Sequence, residues 1–355
     1  MVQRKIRAII LKNELANDHL YWINACTHFS DQIIYREVDL TKNNWLSDIQ
    51  QQEFDILLAK PGGLTSHYKE LYDERIYILE RCLDYKIYPS ADEIFIYENK
   101  RFLSFWLDAN CVPHPRTWVF YEEQEAIDFI KNSDYPFVAK VNIGASGSGV
   151  VIIHNIKKAV EYVKGTFKGK GAKQRSGPNL AKGDWMQRGI RYLFHPKEII
   201  SKYRIYLIRR KNLQRNFVIF QEYIPHGFEW RVVRIGDSFF AHKKLKVGDK
   251  ASGSLLKEYD TPPLGLLDFV REITDKHHFY SQAIDIIESK GAYLVNEMQC
   301  IFGQSDPHQM LINGIPGRYR FVREEWVFEE GDFNKNESYN LRVQFLLSRF
   351  VGNQA

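Results

Sequence analysis

Residues 136–153 read PFVAKVNIGASGSGVVII, and the architecture turns on how they are understood. The stretch predicts a strand over Phe137 to Val141 with Lys140 at its polar end, then the small-residue run Gly144-Ala145-Ser146-Gly147-Ser148-Gly149, then a strand over Gly149 to His154. Small side chains let backbone N–H groups approach phosphate oxygens, and a neighbouring ammonium adds a point charge for the same anion. The loop is not a P-loop, because no Gly-Lys-Ser/Thr ends it, and not a dinucleotide fingerprint, because a strand rather than a helix follows. Alone it reads equally well as a flexible turn, so its flanks carry the weight.

Downstream, Phe217 to Tyr223 (FVIFQEY) is an apolar strand that ends in Gln221-Glu222-Tyr223-Ile224, where a polar side chain and exposed backbone suit the edge of an adenine ring. Glu229 and Arg231 stand two apart on the next strand and so share one face. Residues 217 to 247 as a whole read as three consecutive strands, and Gly265 to His277 as a helix. A β pair follows, Gln282 to Glu288 and Ala292 to Glu297, turning at Lys290-Gly291. With an odd-numbered loop Asp285 stands opposite Glu297 on one face, and Gln299 points the same way; with an even-numbered loop the two carboxylates fall on opposite faces. Two carboxylates and an amide oxygen on one sheet face are a hard-oxygen set suited to magnesium ions that bridge nucleotide phosphates.

Upstream, Lys100 to Asn110 predicts a helix, ended by the rigid connector Val112-Pro113-His114-Pro115. The first hundred residues alternate strands (Lys5 to Leu11, Gln32 to Val38, Phe54 to Lys60) with helices (Asn17 to Phe29, Leu46 to Gln51, Ser66 to Tyr85), the rhythm of βαβ units and a largely parallel sheet. The third strand breaks at Pro61-Gly62-Gly63, a position where open α/β sheets bind ligands. It is a candidate wall of a substrate pocket, with a plain glycine turn as the equal alternative. The expected divisions are residues 1–95, 96–220 and 221–355, the last closed by a helix over Tyr339 to Phe350.

The chain has 355 residues, 44% of them hydrophobic and 26% charged, with a formal net charge of +5. That charge is a sum of opposed parts. Residues 164–215 hold 15 Lys/Arg against two acids, so this insert carries +13 and the remainder −8. Four dispersed cysteines, Cys26, Cys82, Cys111 and Cys300, form no Cys-x-x-Cys pair, so neither a zinc site nor a disulfide framework can be read from them, and a reducing, cytoplasmic compartment is expected. No run approaches the ~20 apolar residues of a membrane span.

In the order and spacing of these elements the chain resembles the ATP-grasp proteins over roughly residues 95–325. Its layout is similar to those of D-alanine:D-alanine ligase, glutathione synthetase and the ribosomal-protein glutamate ligases. The resemblance implies an α/β fold, α+β in its later part: an N-terminal open, mostly parallel sheet, then a two-lobed ATP-grasp unit with nucleotide between the lobes. It implies ATP and magnesium, two ions, as cofactors. Lys100 and Lys140 match the phosphate lysines, and Gly144, Ser146, Gly147, Ser148 and Gly149 lie in the glycine-rich lid. Gln221, Glu222, Tyr223 and Ile224 match the adenine hinge, Glu229 the ribose carboxylate, and Asp285 and Glu297 the metal acids, with Gln299 where the family usually has asparagine. Arg231 and Lys250 are the expected catalytic cations, with the Lys243-Lys244 pair competing for the role given to Lys250.

Such enzymes convert a carboxylate to an acyl phosphate and join it to an amine. The expected function is therefore an ATP-dependent ligase acting on a small-molecule, glycan or peptide carboxylate and an amine, with homodimerisation left open and nucleic acid not expected as a partner. Loose likeness to polysaccharide-modifying members in the Ala-Ser-Gly-Ser segment adds cell-surface polysaccharide or peptide-like metabolites as substrates. Two alternatives stay open: a kinase of the same fold, and a non-enzymatic polyanion binder using the basic insert. Beyond the metal acids, the segment Ser305 to Arg318 is a second candidate wall for the acceptor, Arg318 being suited to hold a carboxylate.

Overall fold

The run Ile56–Ala59 buries all four of its side chains, which requires cover on both sheet faces and so points to parallel strands crossed by helices. The computed structural model describes residues 4–63, 65–144, 149–172, 207–208, 213–247, 250–251, 256–302 and 306–352, and it has that arrangement. β1 (Ile6–Lys12), α1 (Leu20–His28), β2 (Ile33–Asp39), α2 (Trp45–Gln50), β3 (Ile56–Ala59), α3 (Ser66–Tyr77) and β4 (Ile87–Tyr88) build a parallel sheet of order β2-β1-β3-β4. The helix expected from Ser66 to Tyr85 is shorter. After Tyr77 the chain widens into one π turn over Ile78–Cys82, closed by Leu83 N–H on the Ile78 carbonyl at 3.1 Å. Asp84, at φ 54°, then prevents the helix from continuing.

After α4 (Ala91–Ile96), α5 (Lys100–Ala109) leads into an antiparallel sheet. Its strands are β5 (Thr117–Phe120), β6 (Phe137–Lys140), β7 (Val150–Ile153) and β8 (Val218–Glu222), in the order β5-β8-β6-β7, with α6 (Glu123–Lys131) and α7 (Ile156–Phe167) over one face. Phe137, Ala139, Val218 and Phe220 form a core with Ala126, Ile130, Ala159 and Val163 from these helices. Because strand side chains alternate, Val138, Lys140, Ile219 and Gln221 take the opposite face.

The third sheet is antiparallel. It runs β14-β13-β9-β10-β16-β15, with β11 and β12 on β10 and β17 on β16. Its strands are β9 (Phe228–Ile235), β10 (Ser238–Val247), β11 (Lys250–Ala251), β12 (Lys257–Glu258), β13 (Ser281–Ser289), β14 (Ala292–Gln299), β15 (Leu311–Ile312), β16 (Ile315–Val322) and β17 (Glu325–Glu330). The helix α8 (Leu264–Lys276) packs Leu266, Leu267 and Val270 on this core. The end of the Ser305 to Arg318 segment, from Ile315 on, belongs to the β16–β17 hairpin. Its turn residues, Arg323 and Glu324, have φ of 51° and 69°, a conformation usually announced by glycine or asparagine.

The closing helix α9 (Tyr339–Gly352) serves two cores, with Leu341 on that of the third sheet. It sends Tyr339, Val343, Leu346 and Leu347 into the core of the first one, where Tyr339 packs edge-on to Trp22 at 4.8 Å. Arg342, fully buried, donates to Ser281 Oγ at 3.2 Å and to the Glu337 carbonyl at 3.2 Å while lying over Phe302 and Tyr339. Next to it Glu93, the partner of Ser90 in the α4 capping box, accepts from Ser281 N–H at 2.8 Å. These bonds tie the first sheet to the third. Among the described residues no helix is long and apolar enough to cross a membrane.

Burial pushes the Glu93 carboxyl up to about 7, against the opposing donors from Ser281 and Ser90. A carboxyl with a raised folded-state value stabilises the fold fully while protonated, below its ordinary range, and loses that contribution as pH rises through about 7. The urea midpoint of the wild type is therefore expected to drop between about pH 5 and about pH 8 by more than that of a Glu93→Gln variant. Equal drops would remove Glu93 as the cause.

Candidate active site

The N-terminus of α5 is built by the chain that follows β6. Lys100 N–H donates to the Asn142 carbonyl at 3.3 Å, Arg101 N–H to Asn142 Oδ1 at 2.8 Å and Phe102 N–H to the Asn99 cap at 3.2 Å. Three otherwise orphaned helix amides are thereby satisfied, and the start of the glycine loop is pinned beside Lys100. The Lys100 ammonium donates to the Gly144 carbonyl at 3.0 Å and stands 3.6 Å from Glu297 Oε1. Glu98, buried and at φ 51°, turns its carboxylate back to accept from Gly144 N–H at 3.3 Å. Lys140 reaches across from β6 to donate to Asn296 Oδ1 at 2.9 Å. Burial pushes its ammonium down to about 8, with Lys100 adding in the same direction and Glu297, Glu229 and Asp285 opposing.

On the third sheet the expected residues, joined by His242, form two cross-strand rows. In one, His242, Arg231, Asp285 and Glu297 pair successively across β10, β9, β13 and β14; in the next, Lys244 pairs with Glu229. Arg231 grips Asp285 with two bonds, Nε–Oδ1 at 2.7 Å and a terminal nitrogen to Oδ2 at 2.9 Å, the fork geometry that makes arginine a strong carboxylate partner. Lys244 donates to Asp285 Oδ2 at 2.5 Å and to Glu229 Oε2 at 3.1 Å. Burial alone would raise the Asp285 carboxyl, but Arg231 and Lys244 together hold it well below the usual carboxylate range. Burial likewise works against the charges of Arg231 and Lys244, yet Asp285 keeps both above their ordinary values. His242, fixed by its Nδ1 on the Gln309 carbonyl at 3.0 Å, is pushed by burial down to about 3 and stays neutral.

Asp285 does face Glu297, though not through an odd-numbered loop. Ser289 pairs with Ala292 across the two-residue turn Lys290-Gly291, and this register holds to Ile286 and Val295. A β-bulge then inserts Asn296, and the ladder resumes with Asp285 opposite Glu297. The bulge re-aims the side chains on either side of it. Asn296 consequently joins the site, accepting from Lys140 and donating to Glu229 Oε1 at 2.9 Å. Gln299 lies alongside, its amide nitrogen 3.3 Å from Glu297 Oε1 and 3.4 Å from Glu98 Oε1. Among the described residues no group of three or more His, Cys, Asp or Glu side chains is arranged around a metal position.

The residues expected at the adenine hinge lie at the end of β8. Gln221 shares the Lys140 face and donates to Thr117 Oγ1 at 3.0 Å, whereas Glu222 turns outward to Arg116 at 3.1 Å. The Ile224 carbonyl accepts from His226 Nδ1 at 2.7 Å, and Tyr223 lies beneath the Lys246 ammonium at 5.8 Å. Gly149 has a packing reason of its own: a side-chain carbon there would fall 1.9 Å from Val141 Cγ2. Ser146, Gly147 and Ser148 lie outside the described residues, as do Ser305 and positions 173–206 and 209–212 of the basic insert. Lys250 is placed only by its backbone, opposite Val247.

The Pro61-Gly62-Gly63 loop does border the site, since a side-chain carbon at Gly63 would meet Tyr97 at 3.3 Å and Glu98 at 3.4 Å. Arg318 does not reach it: the guanidinium pairs with Glu329 on β17 at 2.7 Å and with Ser238 Oγ at 2.9 Å. Asn296 and Glu98 had no assigned role in the sequence reading. Asn296 gives no sequence signal, because nothing marks a bulge there, and Glu98 was visible only as the neighbour of Asn99-Lys100.

No protein-family model matches the sequence, and no curated protein matches it; the likeness to known proteins is one of structure. D-alanine–D-alanine ligase from Bacillus anthracis superposes with a TM-score of 0.54 at 13% identity, covering 99% of this chain and 100% of that one. N5-carboxyaminoimidazole synthetase from Staphylococcus aureus, complexed with ADP, gives a TM-score of 0.51 at 13% identity over 87% of this chain and 74% of that one. An N5-carboxyaminoimidazole ribonucleotide synthetase in its ADP complex gives 0.52 at 12% identity, over 86% and 72%. With its parallel first sheet and two antiparallel sheets, this chain has the ATP-grasp fold.

Proposed function

We propose that the protein is an ATP-dependent ligase that converts a carboxylate to an acyl phosphate and joins it to an amine, releasing ADP and phosphate. The observation that carries this reading is the meeting of Lys100 and Lys140, from separate elements, with the Glu229, Arg231, Lys244, Asp285 and Glu297 rows of the third sheet. Phosphoryl transfer asks for alignment and charge neutralisation rather than covalent help from the protein, and this is a site of fixed charges.

Lys100 and Lys140 hold the phosphates, with residues 144–149 as the lid that keeps water from the acyl phosphate. Gln221 to Ile224 take the adenine and Glu229 the ribose. Arg231, with Lys250 or Lys244, neutralises the transferred group. Glu297, with its side chain 27% exposed, and Gln299 offer oxygen atoms that fit magnesium, an ion that takes few protein ligands and keeps its waters. When held there by Glu297 and Gln299, magnesium would offset the negative charge of the phosphates. The carboxylate and amine substrates, of small-molecule, glycan or peptide origin, bind beside the Gly63 loop and Glu98. A cytoplasmic setting, where ATP is supplied, belongs to the same reading.

The test is a phosphate-release screen with ATP and magnesium over pools of carboxylates and amines. ADP and phosphate formed in equal amounts, dependent on one member of each pool, is the expected result. ADP without free phosphate, alongside a stable phosphorylated acceptor, would replace the ligase by the kinase.

A further inference from the structure

Of the site's carboxylates, Asp285 is the least available to a metal ion. Its two oxygens already accept three charged hydrogen bonds, two from Arg231 and one from Lys244. The Lys244 ammonium is shared with Glu229, and both Lys244 and Asp285 are almost wholly buried, at 4% and 1% exposure. Glu229, Lys244, Asp285 and Arg231 thus form a buried chain of two negative and two positive groups that is internally neutral. Placing a divalent cation on Asp285 would mean withdrawing Lys244 or Arg231 from its partner, which leaves a buried cation uncompensated and beside the new ion. Glu297, directly opposite on β14, is different: it accepts one long amide bond from Gln299 at 3.3 Å and has Lys100 at 3.6 Å, beyond hydrogen-bond reach.

We propose that Arg231 and Lys244 take the place of one of the two cations that the resemblance implies, so that nucleotide binds with a single divalent ion held at Glu297. Asp285 is then a positioning residue, which holds the guanidinium and the ammonium in fixed places beside the phosphate path. This inference rests on the ATP reading above, and it concerns only how the charge at Asp285 is met. An ammonium built into the sheet does not have to be dehydrated or recruited, so occupancy of this position does not depend on metal concentration.

The test counts Mn2+ bound by the full chain together with a non-hydrolysable ATP analogue, by equilibrium titration and by electron paramagnetic resonance. One Mn2+ per bound nucleotide, without a spin-coupled pair, is expected; two ions per nucleotide with coupled spectra would overturn the proposal and leave the ATP reading standing. A Lys244→Gln variant, which removes the ammonium from Asp285 Oδ2 and leaves that oxygen to Arg231 alone, is expected to take up a second Mn2+. If that variant keeps its native circular dichroism and its nucleotide but still binds one ion, Lys244 does not have this role. Failure of the wild type to bind the nucleotide at all would remove the ATP reading and the inference with it.

Discussion

A Lys140→Met variant is expected to keep its fold and to lose about 10²–10³-fold in turnover, ~3–4 kcal/mol of transition-state stabilisation, the usual cost of removing one preorganised charge from a phosphoryl-transfer site. Methionine nearly matches the lysine stem in length, so the face of β6 remains filled. What disappears is the ammonium and its 2.9 Å bond to Asn296. Steady-state phosphate release with circular dichroism as the folding control measures the effect; a folded variant with turnover within a few-fold of wild type would take Lys140 out of the phosphate site. The same lysine sets a pH dependence. Burial has pushed its ammonium down to about 8, and only the protonated form attracts phosphates, so ATP affinity should be level below that value and weaken about tenfold per pH unit above it. The Lys140→Met variant should show no such break.

The second large effect is on stability. An Asp285→Ala variant leaves Arg231 and Lys244 buried without the carboxylate that receives three of their hydrogen bonds. Breaking a buried ion pair from one side typically costs about 3–5 kcal/mol, because the remaining charge is stranded. Glu229 still compensates Lys244 in part, through the bond at 3.1 Å, so Arg231 bears most of the loss. The double variant Asp285→Ala/Arg231→Met should recover part of the deficit, since it removes the stranded charge with its partner. Urea unfolding followed by tryptophan fluorescence, with Trp230 on β9 as a local reporter, measures both. A single variant as stable as wild type would mean that the buried network is not closed around Asp285.

The contrast between these residues shows what was legible in the sequence. Glu229 and Arg231 could be placed on one face because strand side chains alternate with a period of two, and no irregularity of β9 intervenes. Asp285 was expected opposite Glu297 only for an odd-numbered loop, and the structure reaches that pairing by another route. The turn at Lys290-Gly291 has the even length that separates them, and the bulge at Asn296 brings them back together. A bulge depends on how two strands settle against each other and on what the extra side chain can reach, here Lys140 and Glu229. Neither partner is near Asn296 in sequence, so the residue joining two lobes of the site was invisible to any local reading.

Lys244 and Lys250 show a second limit. Lys244 lies within β10 and Lys250 just beyond it, and charge type alone does not separate them; only the register of β10 on β9 puts Lys244 opposite Glu229. Similarly, α9 was legible as a helix but not as a part of the first core, since an apolar helix face does not name the sheet that will cover it. The β16–β17 hairpin was missed because arginine and glutamate occupy its left-handed turn.

The most direct measurement follows an oxygen atom. When a carboxylate substrate labelled with 18O attacks the γ-phosphate, one of its oxygens becomes the bridge of the acyl phosphate and leaves with the phosphate when the amine displaces it. Mass spectrometry of the released phosphate should therefore find one 18O per turnover. Phosphate released without label, while amide accumulates, would contradict the acyl-phosphate route and with it the ligase reading of this site.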